Sequence, residues 1–253
     1  MPTAADHYRN LLAHHYSWMF GLSFDEKVTE QRAILEPLLK DAPRGLAVDL
    51  GSGPGFQSLA LAQLGFSPVL AIDSSAGLLS ELEAALRSHS PHTNVETHNS
   101  DILELGEFVA PRTAAVIVCM GDTLTHLPNL DSVRHLFSAV ATALARGGFF
   151  TLTWRDLTHE LTGADRFIPV HADDHKIMTC FLEYVSPTTV QVHDLVYTRS
   201  PTRPSQWTLE KSSYPKLRLS PGQVVAELAA AGLDPHPPAS AGRLSLAMAQ
   251  KPA

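Results

Sequence analysis

Apolar positions recur at two periods along this chain, and the switches between them predict its layout. From residue 6, "DHYRNLLAHHYSWMFGLSFDEKVTEQRAILEPLL" places Leu11, Leu12, Tyr16 and Met19, then Val28, Ala33, Leu35 and Leu38, at helical spacing. Two amphipathic helices broken at Gly21 are expected there. A repeated alternation follows. "LAVDL" reads as a strand, "GSGPG" as a break, and "FQSLALAQLG" as a helix stopped by Gly65. "PVLAID" is a second strand, "SSAGLLSELEAALRSH" a helix opened by a serine cap, and the more polar "NVETHN" a third strand. "TAAVIVCM", the helix "LDSVRHLFSAVATALARG" and the strand "GFFTLTW" complete the series. Strands alternating with helices predict an α/β fold with a parallel, doubly wound sheet.

The alternation stops near Asp156. "KIMTCFLEYV", "TVQVHDLVYTR" and "WTLEKSSYPKLRL" read as successive strands of an antiparallel meander. "SPGQVVAELAAAGL" returns to helix, with Ser220 as cap and Pro221 at the first helical position, and "RLSLAMAQ" is a final strand. The 253 residues therefore read as one domain: N-terminal lid helices (1–40), a core (45–154), an inserted antiparallel β layer (155–219) and a closing helix and strand (220–253).

Composition narrows the chemistry. A formal charge of −7 and the lack of a dense Lys/Arg cluster argue against nucleic acid. No apolar run reaches membrane-spanning length, and "MPTAADHYRN" lacks the pattern of a secretory signal. Cys119 and Cys180, far apart and without metal-ligand spacing, suggest a reducing compartment, the cytoplasm. The tight group "HADDH" (171–175) reads as a solvated polar loop rather than a metal site, because no regular element fixes its ligands. No metal is expected.

The sharpest local signal is "AVDLGSGPGF" (47–56), in which Gly51, Gly53 and Gly55 follow a strand and precede a helix. A dinucleotide fingerprint asks for glycine or alanine where this chain has Phe56, and does not ask for Asp49 two positions before the first glycine. The stretch resembles the first motif of class I S-adenosylmethionine-dependent methyltransferases, where an acid precedes a G-x-G-x-G loop. That resemblance implies a Rossmann-like fold, S-adenosylmethionine as cofactor and S-adenosylhomocysteine as product. It places Asp73, at the end of the second strand, on the ribose hydroxyls, with Ser74 beside it. Asp101 falls near the adenine amine, Ile102 against the ring, and Met120 at the end of the fourth strand joins the cofactor set. A helix cap or loop acid is the bland reading of Asp73 and Asp101.

Beyond the cofactor, "CMGDTLTHLP" (119–128) is similar to the Gly-Asn-Ser-x-x-His-Leu-Pro segment of glycine/sarcosine-type N-methyltransferases. "HYRNLLAHHYSWMFG" resembles that group's Tyr-rich lid, "TWRD" its arginine after the fifth strand, and "SSYPKLRLSP" its Ser-Tyr-x-Pro segment. The likeness implies that Tyr8 and Tyr214 line an acceptor pocket and that Arg155 meets an acid group of the acceptor. Tyr16 would cover the cofactor, and Lys27 would reach its methionyl carboxylate. Where those enzymes have Asn, this chain has Asp122, which either faces a cationic or hydroxylated acceptor or caps the short helix "TLTHL". His126 is either a general base with a pKa near working pH or a packed turn histidine. The acceptor is expected to be a small-molecule amine, with a hydroxyl and a non-catalytic cofactor-binding role as alternatives. The inserted layer either roofs the pocket or pairs with a second subunit.

Overall fold

The computed structural model describes residues 3–89, 92–203 and 205–253; Met1 and Pro2 of the expected lid lie outside the described residues. The chain begins with α1 (Ala4–Asn10) and two single turns of 3-10 helix, Leu12–His14 and Trp18–Phe20, before α2 (Phe24–Leu38). Capping boxes open both α-helices, Thr3 with Asp6 and Ser23 with Glu26. The core runs β1 (Ala47–Leu50), α3 (Phe56–Gln63), β2 (Val69–Asp73), α4 (Ala76–His89), β3 (Val95–Asn99), α5 (Leu105–Phe108), β4 (Ala114–Cys119), α6 (Leu130–Ala143) and β5 (Leu144–Trp154). The inserted layer is β6 (Phe167–Ala172), β7 (Lys176–Ser186), β8 (Thr189–Arg199) and β9 (Trp207–Leu217). Then come α7 (Pro221–Ala230), the short β10 (Asp234–Pro235) and β11 (Ala239–Ala241), and β12 (Leu244–Gln250).

The main sheet has the order β10-β12-β5-β4-β1-β2-β3, with β11 paired to β12. Strands β3, β2, β1, β4 and β5 are parallel, and β12 joins β5 antiparallel. Because side chains alternate faces along a strand, each strand feeds two cores. Val48, Leu50, Ile72, Ile117 and Phe150 pack with α6 and α7 residues such as Leu136 and Leu228. Ala47, Val69, Ala71, Val116 and Val118 pack with α2, α3 and α4 through Leu35, Leu59 and Leu82. Helices on both faces make the sheet doubly wound, as the alternation predicts. Chain order reverses between β1 and β4, so their carboxyl ends diverge and leave a crevice there.

Two expectations are corrected. The first lid helix is not continuous: Leu11 departs from helical geometry (φ −141°), and the chain goes on as isolated 3-10 turns. Leu11 and Leu12 are buried instead against Met178 and Val196 of the inserted layer, and this tertiary seat overrides a helix too short to hold alone. The inserted sheet has four strands, in the order β6-β7-β8-β9, rather than three. Pro169 hides β6 in the sequence; it sits on an edge strand where the register shifts by a bulge between Pro169 and His171. The outward face of this layer exposes Ile177, Tyr197 and Leu209, which lie in one cross-strand row.

Candidate active site

A cavity of about 510 Å³ opens over the carboxyl ends of β1 to β4, at the crevice where chain order reverses. One part of its wall comes from the loops after β1, β2 and β3: Gly51, Gly53, Asp73, Ser74, Asp101 and Ile102, with Leu78 from α4. The other part comes from α1 (Ala4, Ala5 and Tyr8), from Thr123, His126, Leu127 and Pro128 after β4, and from Pro215 of β9. Tyr16, between the two 3-10 turns, also lines it.

The glycine loop is shaped by close approach. Gly51 and Gly53 both have positive φ, +72° and +53°. A Cβ on Gly51 would lie 2.4 Å from Thr123 Cγ2, so the residue that lets β1 turn also lets the post-β4 segment close over it. Gly55 serves a different purpose. It is the N-cap of α3 with φ +90°, and a Cβ there would fall 2.1 Å from Leu82 Cδ1 of α4. Gly55→Ala is expected to cost about 2 kcal/mol through left-handed strain and overpacking. Thermal unfolding checks this; an unchanged melting temperature would show that α4 yields freely.

Asp73 ties the loop together. Its Oδ2 accepts the Gly53 N–H at 2.8 Å and its Oδ1 the Ser75 N–H at 2.7 Å. Each oxygen keeps a further lone pair, and with Asp73 in the cavity wall it can take a ligand hydroxyl. Burial raises its carboxyl pKa against those two bonds. Asp101 both lines the cavity and caps the 3-10 turn after β3 by accepting the Leu103 N–H at 2.9 Å, so the functional and capping readings coexist in one residue. Asp49 lies beneath the loop rather than in the wall. Its Oδ2 accepts from Ser58 Oγ at 2.6 Å, its Oδ1 is buried without a partner, and burial pushes its carboxyl up to about 7 despite the Ser58 bond.

Several expected site residues lie elsewhere. Met120 packs in the apolar core under α2 and α3. Lys27 pairs with Glu30 at 2.8 Å and stacks over Phe20, so its ammonium is committed to its own helix and the adjoining turn. Asp122 departs most from expectation. Its carboxylate meets the Lys216 ammonium, accepts the Arg155 N–H at 2.9 Å and the Thr125 hydroxyl at 2.9 Å, and has Arg155 Nε at 3.9 Å. It stands at the N-cap position of the Thr123–His126 turn, but its side chain makes no bond to the backbone there, so the carboxylate does not cap the turn. Burial would raise its pKa, but the Lys216 charge and the bonds from Lys216 and Arg155 outweigh that and leave it low. Arg155 is thereby drawn to Asp122. A free acidic wall for the acceptor is replaced by a neutralised pair that joins the post-β4 turn to β9.

His126 stands in the wall between Tyr8 and Tyr214, with ring centroids 5.6 and 5.5 Å away. Its Nε2 is buried and has no hydrogen-bond partner. Burial, then the neighbouring Lys216 charge, lowers its pKa to about 3, so it is neutral throughout any ordinary assay range. That favours the packed reading of His126 over a base poised near neutral pH. Burial also keeps the Tyr8, Tyr16 and Tyr214 hydroxyls protonated. Tyr214 is set back from the cavity and stacks on His7 at 4.1 Å; His7 Nε2 in turn meets Asp194 at 2.9 Å, which pins α1 to β8.

Sequence reasoning missed Lys216 and the His7–Asp194 pair. The available signal was register: Asp194, Lys216 and Arg218 are buried, on alternations whose apolar members face inward. A charge at an inward strand position announces a partner, though not which one. "HADDH" occupies the end of β6 and the turn into β7, and among the described residues no group of side chains is arranged to hold a metal. No helix among them is long and apolar enough to cross a membrane.

Comparison with known proteins agrees with this geometry. Residues 47–148 match the family model described as "Methyltransferase domain". No curated protein sequence matches the chain. Among solved structures it is similar to the CcbJ methyltransferase of Streptomyces caelestis (17% identity, 97% of this chain and 98% of that one, TM-score 0.77). It is also similar to an S-adenosylmethionine-dependent methyltransferase of Clostridium acetobutylicum (16%, 97% and 99%, TM-score 0.75). A third is the amino pentose methyltransferase CalS10 of Micromonospora echinaspora, with S-adenosylmethionine bound (16%, 94% and 95%, TM-score 0.71). The matched residues span the glycine loop and the acids after β2 and β3, and these solved structures share the fold along nearly the whole chain, which supports an S-adenosylmethionine-dependent methyltransferase.

Proposed function

We propose that the enzyme methylates a neutral amine nitrogen of a small-molecule acceptor, a hydroxyl being the second reading. The observation that carries this is His126: a neutral imidazole in the cavity wall with a buried, unpartnered Nε2. The absence of a free carboxylate beside it adds to the reading, since Asp122 is already neutralised by Lys216. Nε2 is buried behind the wall, so a modest turn of the ring would present it to the cavity, where an N–H or O–H of a neutral acceptor can donate to it. The solved structures similar to this chain include a sugar N-methyltransferase and a glycopeptide N-methyltransferase, which favours nitrogen over oxygen.

S-adenosylmethionine, when bound, supplies an activated methyl group on a sulfonium. The chain's part is to hold it and to align the acceptor. Asp73 would take the ribose hydroxyls, Asp101 and Ile102 the adenine, and the Gly51–Gly53 turn the close backbone approach. Tyr16 would cover the cofactor. Tyr8 and His126 would orient the acceptor, with Tyr214 backing the His126 ring and excluding water. The acceptor amine would arrive neutral, since burial holds His126 well below the range in which it would take that proton.

His126→Asn is expected to lower kcat/KM by roughly ten- to a hundredfold, the scale of a lost positioning contact. The pH profile should follow the acceptor's own amine in both proteins. Labelled-methyl transfer to a panel of amino sugars, amino acids and phenols, repeated from pH 6 to 9, tests this. A wild-type limb near the ordinary histidine value that vanishes in the variant would return His126 to general-base duty. Activity on phenols alone would favour the hydroxyl reading.

A further inference from the structure

Tyr16, in the cavity wall, is followed by Ser17 and Trp18 at the start of the second 3-10 turn. These two successors are fastened to different neighbours. Ser17 Oγ donates to Glu81 of α4 at 2.5 Å, and Trp18 Nε1 donates to Asp173 in the β6–β7 turn at 2.6 Å. Asp173 suits this role because its other oxygen is already in use: Oδ1 accepts the His175 and Lys176 N–H groups, both at 2.7 Å, which fixes the turn that presents Oδ2. The Trp18 ring is held from two further sides, by His171 at 4.9 Å between ring centroids and by the Lys176 ammonium at 5.4 Å. Where the segment leaves, Gly21 lies so close to His171 that a Cβ would come within 2.7 Å of the ring. Three members of "HADDH", His171, Asp173 and His175, and the lysine after it thus meet the strap or shape the turn that catches it.

We propose that Trp18 and Asp173 are positioning residues for methyl transfer: their bond, with the Ser17–Glu81 bond opposite, holds Tyr16 across the cofactor and sets how fast the product leaves. The inference rests on Tyr16 covering the cofactor, as proposed above. Residues 12–20 contain no full α-helical turn and owe their place to such contacts, so removing one loosens the strap without touching the sheet.

The test uses the full chain and S-adenosylhomocysteine as probe. Trp18→Phe keeps the ring and removes the N–H; Asp173→Asn weakens the same bond from the other end. Each is expected to speed S-adenosylhomocysteine dissociation roughly three- to tenfold, the range for losing one charge-assisted hydrogen bond at a partly exposed site. The double variant should go no further, because both changes break one bond. KM for S-adenosylmethionine should rise more than kcat falls. Tyr16→Ala is measured beside them. If Tyr16→Ala accelerates dissociation while Trp18→Phe and Asp173→Asn leave it unchanged, the strap is overturned and Tyr16 keeps its place over the cofactor. If Tyr16→Ala is also without effect, both readings fall.

Discussion

Lys216→Met is expected to destabilise the enzyme by about 3 kcal/mol, because it strands the Asp122 carboxylate in a largely buried site. For a chain of this size that corresponds to a fall in melting temperature of roughly 6–12 °C. The double variant Lys216→Met with Asp122→Asn should recover most of the loss, since a neutral amide keeps an oxygen for the Arg155 N–H and the Thr125 hydroxyl. The pH dependence gives a second signature. In the native protein Asp122 has a lowered pKa, so its contribution is full above the unfolded value and disappears as pH falls through the folded one. Without Lys216, burial prevails and the folded pKa rises above the unfolded one. The defect should then shrink as the solution is made more acidic. Urea unfolding of both variants at neutral pH and near pH 4 reads both effects; a defect that deepens in acid would mean that Asp122 is already protonated or exposed.

Asp73→Asn should weaken S-adenosylhomocysteine binding by about a hundredfold, or near 2.7 kcal/mol. The carboxylate accepts one backbone N–H on each oxygen and faces the cavity with what remains. An amide has a single accepting oxygen, so either Gly53 or Ser75 loses its acceptor, and ligand hydroxyls meet one fewer lone-pair face. Calorimetric titration with S-adenosylhomocysteine is the check, with thermal unfolding alongside. A change below threefold would place the ribose elsewhere. A large loss of affinity with an intact melting temperature would locate the effect in the ligand contact rather than in collapse of the loop.

Two buried groups bend the stability curve of the native protein in opposite directions. His126 stays neutral when folded but charges in the unfolded chain, so acidification from its ordinary value near 6.5 toward about 3 costs stability. Asp49, whose carboxyl is raised to about 7, favours the folded state while protonated, and that contribution is lost as pH climbs from about 4 through 7.

The parallel sheet, its helices, the glycine loop and the positions of the acids at 73 and 101 were all legible in the sequence. Each is a local matter: apolar period sets strand or helix, Gly51 and Gly53 mark a turn with positive φ, and an acid just after a strand stands at the sheet's carboxyl edge. Strand β6 was not legible, because Pro169 and a bulge interrupt its alternation. The lid's break at Leu11 was not either, because its cause is the apolar seat on Met178 and Val196, more than 160 residues away. The acceptor side depended on folding most of all. Asp122 reads in the sequence as a pocket carboxylate or a helix cap and His126 as a base or a packed turn histidine; Lys216, brought in by β9, neutralises the first, while burial and then the Lys216 charge depress the second. Charge and basicity are properties of a side chain's surroundings. Where those surroundings come from 90 residues along the chain, only the tertiary structure decides what the residue is able to do.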